Sequence, residues 1–591
     1  MAEPPAWKRR FTAPKIGFPS WAETAPERLT FLSTESGSGQ VWALDRVKGD
    51  RRQVTDERIG VETMLVAPDG RIVWWRDETG DERGRWMAVA FEGGSAEPLV
   101  PDVPDGWAAG ISFAGRTLAL GLVTEEDYRA ILVTDGVTRT LQAGDRPLGV
   151  GRLDPQGSGG ISADGSMVCI RHTDHGDVLN HALRVFDAED GRVVGELADV
   201  GSNLDPVAWS PRPGDDRLLF TSELGTFERP ALWSPGTGER RELTVDLPGA
   251  AIPMGWWPDG SAILVRHEHE GTFELHRVEV ADANATVVAD PGGEITEAAV
   301  RPDGAVWFLA SDSANAPRVL DADGHEVVGP PGERAPAGRP PTSFWFENPH
   351  GQRIQAFVVT PPGDGPYPTV LSVHGGPEWH ARDAFDPETH ALVDAGFAVA
   401  LVNYRGSTGY GIAFRRTLIG NPWFPETEDI LAGLDALVAA GIADPDRVAL
   451  GGWSWGGCLA CLNEGLHPDR WRAVFAGIPA GDTVAAHYAS MPEIQAYDVA
   501  LYGGTPAEVP EMYAERNPMI YVDRATAPVL VIAGEHDPRC PIEGITPWVD
   551  ALRERGVPVD VHLYAAGHHA NDVEEQVRQM QLILDFFGRH V

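Results

Sequence analysis

Between residues 25 and 330 the chain repeats itself. A turn reads Ala67-Pro68-Asp69-Gly70, then Ser162-Ala163-Asp164-Gly165, Trp257-Pro258-Asp259-Gly260 and Arg301-Pro302-Asp303-Gly304. Weaker copies stand at Ala25-Pro26-Glu27-Arg28, Ser112-Phe113-Ala114-Gly115 and Ser210-Pro211-Arg212-Pro213. Taken as starts, these positions make seven repeats spaced 42 to 50 residues apart. The runs that follow, such as Arg71–Trp75 and Ser261–Val265, are β-branched and aromatic, with no helical period. A period of about 40–50 residues with about four strands per unit predicts a β-propeller, whereas sandwich modules need about 100 residues each. Whether a shared strand seals the ring is left open. In the sixth repeat His267-Glu268-His269-Glu270 reads as a polar strand end. Alternation along a strand leaves at most one pair of these side chains on a face, so no metal site is expected.

The densest Pro/Gly stretch, Gly329–Pro341, reads as an interdomain linker. Beyond it a hairpin (strands over 342–347 and 353–360) gives way to strands alternating with helices. Strands are expected over 369–373, 398–403, 447–451, 473–476, 529–533 and 560–564, and helices over 388–395, 428–440, 545–555 and 573–587. That alternation predicts a doubly wound, mainly parallel sheet with its ligands at the carboxyl ends of the strands. The whole is a multidomain chain: a seven-bladed β-propeller over 1–335 with a short N-terminal extension, then a doubly wound α/β domain over 336–591, which the motif that follows marks as an α/β-hydrolase.

Within the second half, Gly451-Gly452-Trp453-Ser454-Trp455-Gly456-Gly457 sits between an apolar strand and a helix start. This is G-x-S-x-G in strand–turn–helix context, a nucleophile elbow whose glycines avoid clashes in a sharp turn. An elbow serine needs an acid and a base, which follow it in the order Ser, Asp/Glu, His. Asp537 lies just past the strand Val529–Ala533, and His568 follows the strand ending at Tyr564. Their chemistry gives the roles: Ser454 the nucleophile, His568 the base, Asp537 the residue that orients it. Glu535 and His569 are the alternatives for acid and base. For a tetrahedral intermediate one donor is the Trp455 N–H, and the second comes from His374-Gly375-Gly376-Pro377 after an early strand.

These motifs, with Asn403-Tyr404-Arg405-Gly406-Ser407-Thr408-Gly409-Tyr410-Gly411, Asn517-Pro518 and Asp537-x-Arg539-x-Pro541, closely resemble the prolyl oligopeptidase family of serine peptidases. The resemblance is nearest the acylaminoacyl-peptidase and dipeptidyl-aminopeptidase-like branch. It covers the hydrolase half closely and the propeller only by architecture. It implies Gly376 as the second oxyanion donor, Arg539 as the residue holding a carbonyl or carboxylate of a bound peptide, and a propeller that covers the site. Access would then depend on a channel or on a hinge at 329–341. The chain departs from the family pattern at Trp455 (usually Tyr), Cys540 (often Val) and His569 (usually Gly). Trp455 with Tyr488, Tyr497 and Tyr502 is expected to shape the P1 pocket.

The function expected is a serine peptidase acting on short peptides through an acyl-enzyme, with the propeller restricting substrate size. One alternative is an amidase or esterase of an aminoacyl small metabolite, and another is a propeller scaffold with an inactive hydrolase. Composition narrows the partners. A formal net charge of −39 argues against nucleic acid, and no stretch has the about 18 apolar residues of a membrane span. No signal peptide is visible, and four cysteines in 591 residues make no disulfide framework. Cys458-x-x-Cys461 reads as two buried small residues. The expectation is a cytoplasmic protein without cofactor, with homo-oligomerisation left open.

Overall fold

The structure, a computed structural model, describes residues 3–591. Seven four-stranded antiparallel sheets occupy residues 20–328, each made of four consecutive strands. They begin at Ser20, Met64, Trp107, Leu148, Leu204, Ala250 and Glu294. The recurring turn therefore lies inside each blade, joining its first strand to its second, and the blade boundaries fall one strand earlier than the turns suggest. The four strong copies fold alike. The glycine N–H donates to the carbonyl three residues back at 2.8 Å, and the aspartate accepts the N–H two residues on. Each glycine takes a φ between 63° and 84°, which a side chain would resist.

Among the described residues no strand is exchanged where the ring closes. The first blade comes wholly from residues 20–53 and the seventh wholly from 294–328. Side-chain packing seals the seam instead: Phe18, Trp21, Leu29 and Phe31 share one buried cluster with Ala299, Trp307, Val319 and Val328. Arg301, only 2% exposed, lies between the Trp21 and Trp307 rings at 4.8 and 3.9 Å from their centroids. It donates to Pro26 O and Glu27 Oε1, both at 2.8 Å.

The rest of the chain forms one eight-stranded sheet. Its strands are β1 (Thr342–Glu347), β2 (Arg353–Val359), β3 (Tyr367–Val373), β4 (Ala398–Asn403), β5 (Ala443–Trp453), β6 (Ala473–Gly477), β7 (Val529–Gly534) and β8 (Val559–Tyr564). Their order across the sheet is β1-β2-β4-β3-β5-β6-β7-β8. The pairs β1–β2 and β2–β4 are antiparallel and the others parallel. This is an α/β-hydrolase sheet. With the parallel strands pointing one way, the loops after β3, β5, β7 and β8 gather along one edge.

The N-terminal helix α1 (Ala6–Thr12) belongs to this second body, because Phe11 is buried in its core. Arg10 donates to Asp394 at 2.6 Å and to the carbonyls of Pro336 and Ala337 at 3.0 and 3.1 Å. His390 donates to Arg339 O at 3.0 Å, and Gly338 N–H to Ser313 O at 2.8 Å. The Pro-rich connection is thus tied down along its length rather than left loose. Across the face between propeller and hydrolase the charges are sorted by side. The hydrolase supplies Arg382, Arg415, Arg416 and Arg539, and the propeller supplies Glu294, Glu223, Glu228 and Glu82. No helix among the described residues is long and apolar enough to cross a membrane.

The seam residue makes a test. Removing the buried guanidinium leaves two tryptophan faces and a carbonyl without their partner, so Arg301→Ala should cost about 2–4 kcal/mol in urea unfolding. A change below about 0.5 kcal/mol, within ordinary surface effects, would show that apolar packing alone seals the ring.

Candidate active site

β5 ends at Trp453, and the helix α4 (Trp455–Leu466) starts two residues later, so Ser454 is the whole turn. Its φ of 55° and ψ of −121° are a conformation that costs a non-glycine residue roughly 1–3 kcal/mol. The surroundings hold it there. Ser454 N–H donates to Gly477 O at 2.9 Å, and Cys458 N–H to Ser454 O at 2.9 Å. A Cβ on Gly452 or Gly456 would lie 2.3 or 2.0 Å from Val373 O, so the elbow and the end of β3 touch backbone to backbone.

His568 reaches Ser454 from the loop after β8, with Nε2 3.1 Å from Ser454 Oγ. Its Nδ1 is 2.8 Å from Asp537 Oδ2. A carboxylate only accepts, so Nδ1 carries the hydrogen and Nε2 turns its lone pair to the serine hydroxyl. Burial works against the Asp537 charge. The hydrogen bond from His568 and the N–H groups of Cys540 (3.0 Å) and Arg539 (2.8 Å) outweigh it and hold the carboxyl below its usual range. Glu535 is exposed and outside this relay. His569 stands beside His568, ring centroids 4.8 Å apart, and bonds neither Ser454 nor Asp537.

The loop after β3 closes the other side. A Cβ on Gly375 would lie 3.3 Å from Ser454 Cβ and 3.8 Å from Trp455 N. Trp455 and Gly376 both border the cavity, and neither backbone N–H is taken by a protein carbonyl among the described residues. His374 braces this loop. Its ring stacks on Tyr404 at 4.2 Å, Tyr404 OH donates to His374 O at 2.8 Å, and the ring holds its hydrogen on Nδ1 toward Gly375 O at 2.8 Å, leaving Nε2 2.9 Å from Ser407 Oγ. Burial drives the imidazole down to about 3, so it stays neutral. The conspicuous 403–411 stretch thus acts as a support for the His374–Gly376 loop.

A cavity of about 620 Å³ opens beside Ser454. Its wall is aromatic: Trp455 stacks on Trp423 at 4.1 Å, and Tyr502 on Tyr513 at 4.2 Å, with Tyr497 beside them. Trp423 Nε1 donates to the Tyr502 hydroxyl, and Trp455 Nε1 to Glu426 at 3.2 Å. Polar groups interrupt the wall, Asp498 and Tyr513 among them. Asp498 bonds His487 through one oxygen at 3.1 Å, and the buried Tyr513 hydroxyl has no protein partner. Cys458 and Cys540 also line the cavity as free thiols, and the Cys458 thiol together with burial pushes Cys540 well up, so the Cys540 thiol stays protonated.

Two expected substrate contacts are placed otherwise. Tyr488 is 61% exposed and outside the cavity. On helix α5 (Thr483–Ala489) it is Thr483 and Ala486 that face inward, and a residue two places on is turned by roughly 200°. Arg539 does border the cavity, but its guanidinium fork is closed on the propeller's Glu82, at 2.7 and 2.9 Å. Beside this pair the two bodies touch directly, since a Cβ on Gly567 would lie 1.6 Å from Gly80 O. The propeller therefore sits against the loop that carries His568. Sequence reading missed Glu82, Trp423, Glu426 and Asp498, because each reaches the site only through tertiary contact. As for metals, Asp537, Cys540 and His568 offer ligand atoms within 4.8 Å, but Asp537 and His568 are bound to each other.

An α/β-hydrolase with a Ser-His-Asp relay under a seven-bladed propeller defines the class. Residues 383–591 match the model described as the prolyl oligopeptidase family. The acylamino-acid-releasing enzyme of Rattus norvegicus is 31% identical over 224 residues, 36% of this chain and 30% of the relative. That of Arabidopsis thaliana is 30% identical over 211 residues, 35% of this chain and 28% of the relative. The matched segment is under a third of either relative's length. A solved puromycin hydrolase superimposes with a TM-score of 0.83 at 21% identity, covering 99% of this chain and 96% of that one. An acylaminoacyl peptidase in complex with Z-Gly-Gly-Phe-chloromethyl ketone gives 0.70 at 17% identity, covering 99% and 97%. At these identities the likeness is one of fold.

The buried carboxyl beneath Trp455 carries a pH prediction. Burial pushes Glu426 up to about 8, against an ordinary value of 4.5. Its folded-state value is raised, so its stabilising effect is complete below 4.5 and is lost as pH rises through about 8. The urea midpoint should fall as pH rises from 4.5 to about 8 and level off above that, and Glu426→Gln, isosteric and neutral throughout, should flatten that fall. Identical pH profiles for the two proteins would contradict a neutral Glu426.

Proposed function

We propose that the protein is a serine peptidase that cleaves short peptides in acylaminoacyl-peptidase or aminopeptidase fashion. The observation that carries this reading is the continuous relay Asp537–His568–Ser454, set in an aromatic cavity beneath a propeller. As Ser454 Oγ attacks the scissile carbonyl, its proton passes to His568 Nε2, and Asp537 stabilises the imidazolium. The oxygen that becomes negative is met by the N–H groups of Trp455 and Gly376, at the positive end of α4. His568 then gives the proton to the leaving amine, and water repeats the sequence to release the acyl group. The names of the curated relatives support peptide cleavage. The full-length likeness to a puromycin hydrolase favours a second reading, an amidase or esterase of an aminoacyl small molecule by the same steps. Against an inactive scaffold stands the relay, which is complete. Four free thiols suit a reducing, cytoplasmic compartment.

The cavity also speaks for a P1 side chain. An aromatic sleeve accepts a flat ring or a long apolar stem, while Asp498 and the Tyr513 hydroxyl lie where its tip would arrive. We read this as selection of residues that end in a hydrogen-bond donor, Tyr or Lys, over Phe and Leu. Burial pushes the Asp498 carboxyl up in spite of His487, and a donor from the substrate would relieve that cost.

Two measurements test these readings. A fluorophosphonate should label Ser454 alone. Ser454→Ala should abolish labelling and lower kcat by roughly 10⁴-fold while binding persists. Labelling elsewhere would overturn the nucleophile. For selectivity, kcat/KM should be determined on a peptide series varied at P1 and in length. Tyr and Lys substrates should lead, and Asp498→Asn should erase that lead by roughly tenfold or more with Phe substrates little changed. Long unfolded chains carrying the same bond should be cut far more slowly. Equal rates across P1 would refute the role of Asp498, and equal rates across length would refute the propeller as a cover.

A further inference from the structure

The sixth blade carries a cluster that the catalytic reading does not use. His267 lies on the strand Ala262–His269, and Glu274 and His276 on its neighbour Thr272–Glu279. The register sets His267 opposite Glu274 and Val265 opposite His276, so all three side chains share one face. Alternation along the first strand does separate His267 from Glu268, as the sequence suggests. The second strand restores a full set by adding Glu274 and His276 to the same side. That face packs against the fifth blade: Val265 and Val278 share a buried cluster with Val207, Leu219 and Leu232. His267 and His276 are 7% and 4% exposed, whereas the Glu274 side chain is 35% exposed and gives access from solvent.

The hydrogen-bond count here is one positive charge short. His267 Nε2 is in close contact with Pro248 O, which can only accept, so this nitrogen carries a hydrogen. Its Nδ1 faces Glu274 Oε2 at 3.3 Å, and that oxygen also only accepts. A neutral imidazole has one hydrogen for these two acceptors. His276 Nε2 points at the same oxygen from 2.8 Å. Two ring nitrogens and one carboxylate oxygen therefore converge within 4.8 Å, and either a second proton or a cation must sit between them. The carbonyl on the far nitrogen of His267 is the outer contact that fixes a ligand imidazole's tautomer and aim.

We propose that His267 Nδ1, His276 Nε2 and Glu274 form a binding site for a divalent transition metal of the zinc class, the fourth position being open to water on the Glu274 side. Two imidazoles and one carboxylate suit Zn²⁺, Co²⁺ or Ni²⁺ and suit Mg²⁺ and Ca²⁺ poorly. The site's place gives it a structural task. It joins the two strands to the Pro248 connection from the fifth blade. The hairpin tip beyond it touches the hydrolase, where Gln355 donates to Glu270 O at 3.2 Å and a Cβ on Gly271 would lie 2.6 Å from the Phe357 ring. Binding there would stiffen one edge of the contact between the two bodies.

The test uses the full-length protein with Zn²⁺ and Co²⁺ as probes. After equilibration with Zn²⁺ and dialysis against metal-free buffer, elemental analysis should find one retained equivalent, and the melting temperature should exceed that of the chelator-treated protein. Co²⁺ should give a visible d–d spectrum without a thiolate charge-transfer band. That absence separates the site from the Asp537–Cys540–His568 group, and retention should survive in Cys540→Ala. Glu274→Gln and His276→Ala should each weaken binding at least tenfold and remove the metal-dependent rise in melting temperature. Glu274→Gln keeps the size and acceptor of the native residue and decides the matter if His276→Ala misfolds. The proposal is overturned if the wild type retains no metal at micromolar concentration, or if Glu274→Gln retains it unchanged.

Discussion

The site depends on backbones pressed together at the end of β5. Ser454 holds an unfavourable conformation because Gly452 and Gly456 let the turn close on Val373 O, while Gly477 O receives its N–H. The strain is local, but its upkeep is spread over three strands. β3 supplies the carbonyl against which the elbow stops and then the His374–Gly376 loop. β6 supplies the acceptor for the serine N–H. Parallel pairing, with Val373 beside Gly452 and Gly452 beside Ala476, brings these strand ends to one level. A serine in an ordinary turn would have neither the exposed Oγ nor the helix N-terminus behind it.

Around that fixed point the two bodies are coupled chiefly by charge and close contact. Arginines on one side meet glutamates on the other, and Arg539, paired with Glu82, borders the cavity itself. Partly buried pairs of this kind are specific in geometry and, unlike pairs on the open surface, little screened by salt. Backbone contact between Gly80 and Gly567 adds a steric link from the second blade to the base of the relay. The Pro-rich connection is also pinned to the hydrolase by Arg10 and His390.

The cavity wall shows how one substitution reshapes its neighbours. Trp455 follows the nucleophile and places an indole where the resembling family usually has a phenol. The indole stacks on Trp423 and gives its N–H to Glu426. The carboxyl that receives it is kept neutral by burial, so the wall presents a large ring with no free charge behind it. Asp498 and Tyr513 are among the polar residues that line the same cavity.

Local rules made much of this legible from the residues. Turn chemistry at Asp69, Asp164, Asp259 and Asp303 carries the repeat, because each aspartate and glycine satisfies its own turn. The strand–turn–helix pattern and the chain order of Ser454, Asp537 and His568 depend only on neighbours in sequence and on which strand end each follows. Other features were decided by residues far apart in the chain. Arg539 reads as a substrate contact until Glu82, 457 positions away, closes its fork. Tyr488 reads as a pocket residue until its helix turns it outward. His267 reads as one member of a mixed polar run until the neighbouring strand sets Glu274 and His276 beside it. The physical reason is the same in each case. A side chain's chemistry is written in its own residue, but its partner is chosen by packing, and packing is settled only when distant segments share one surface.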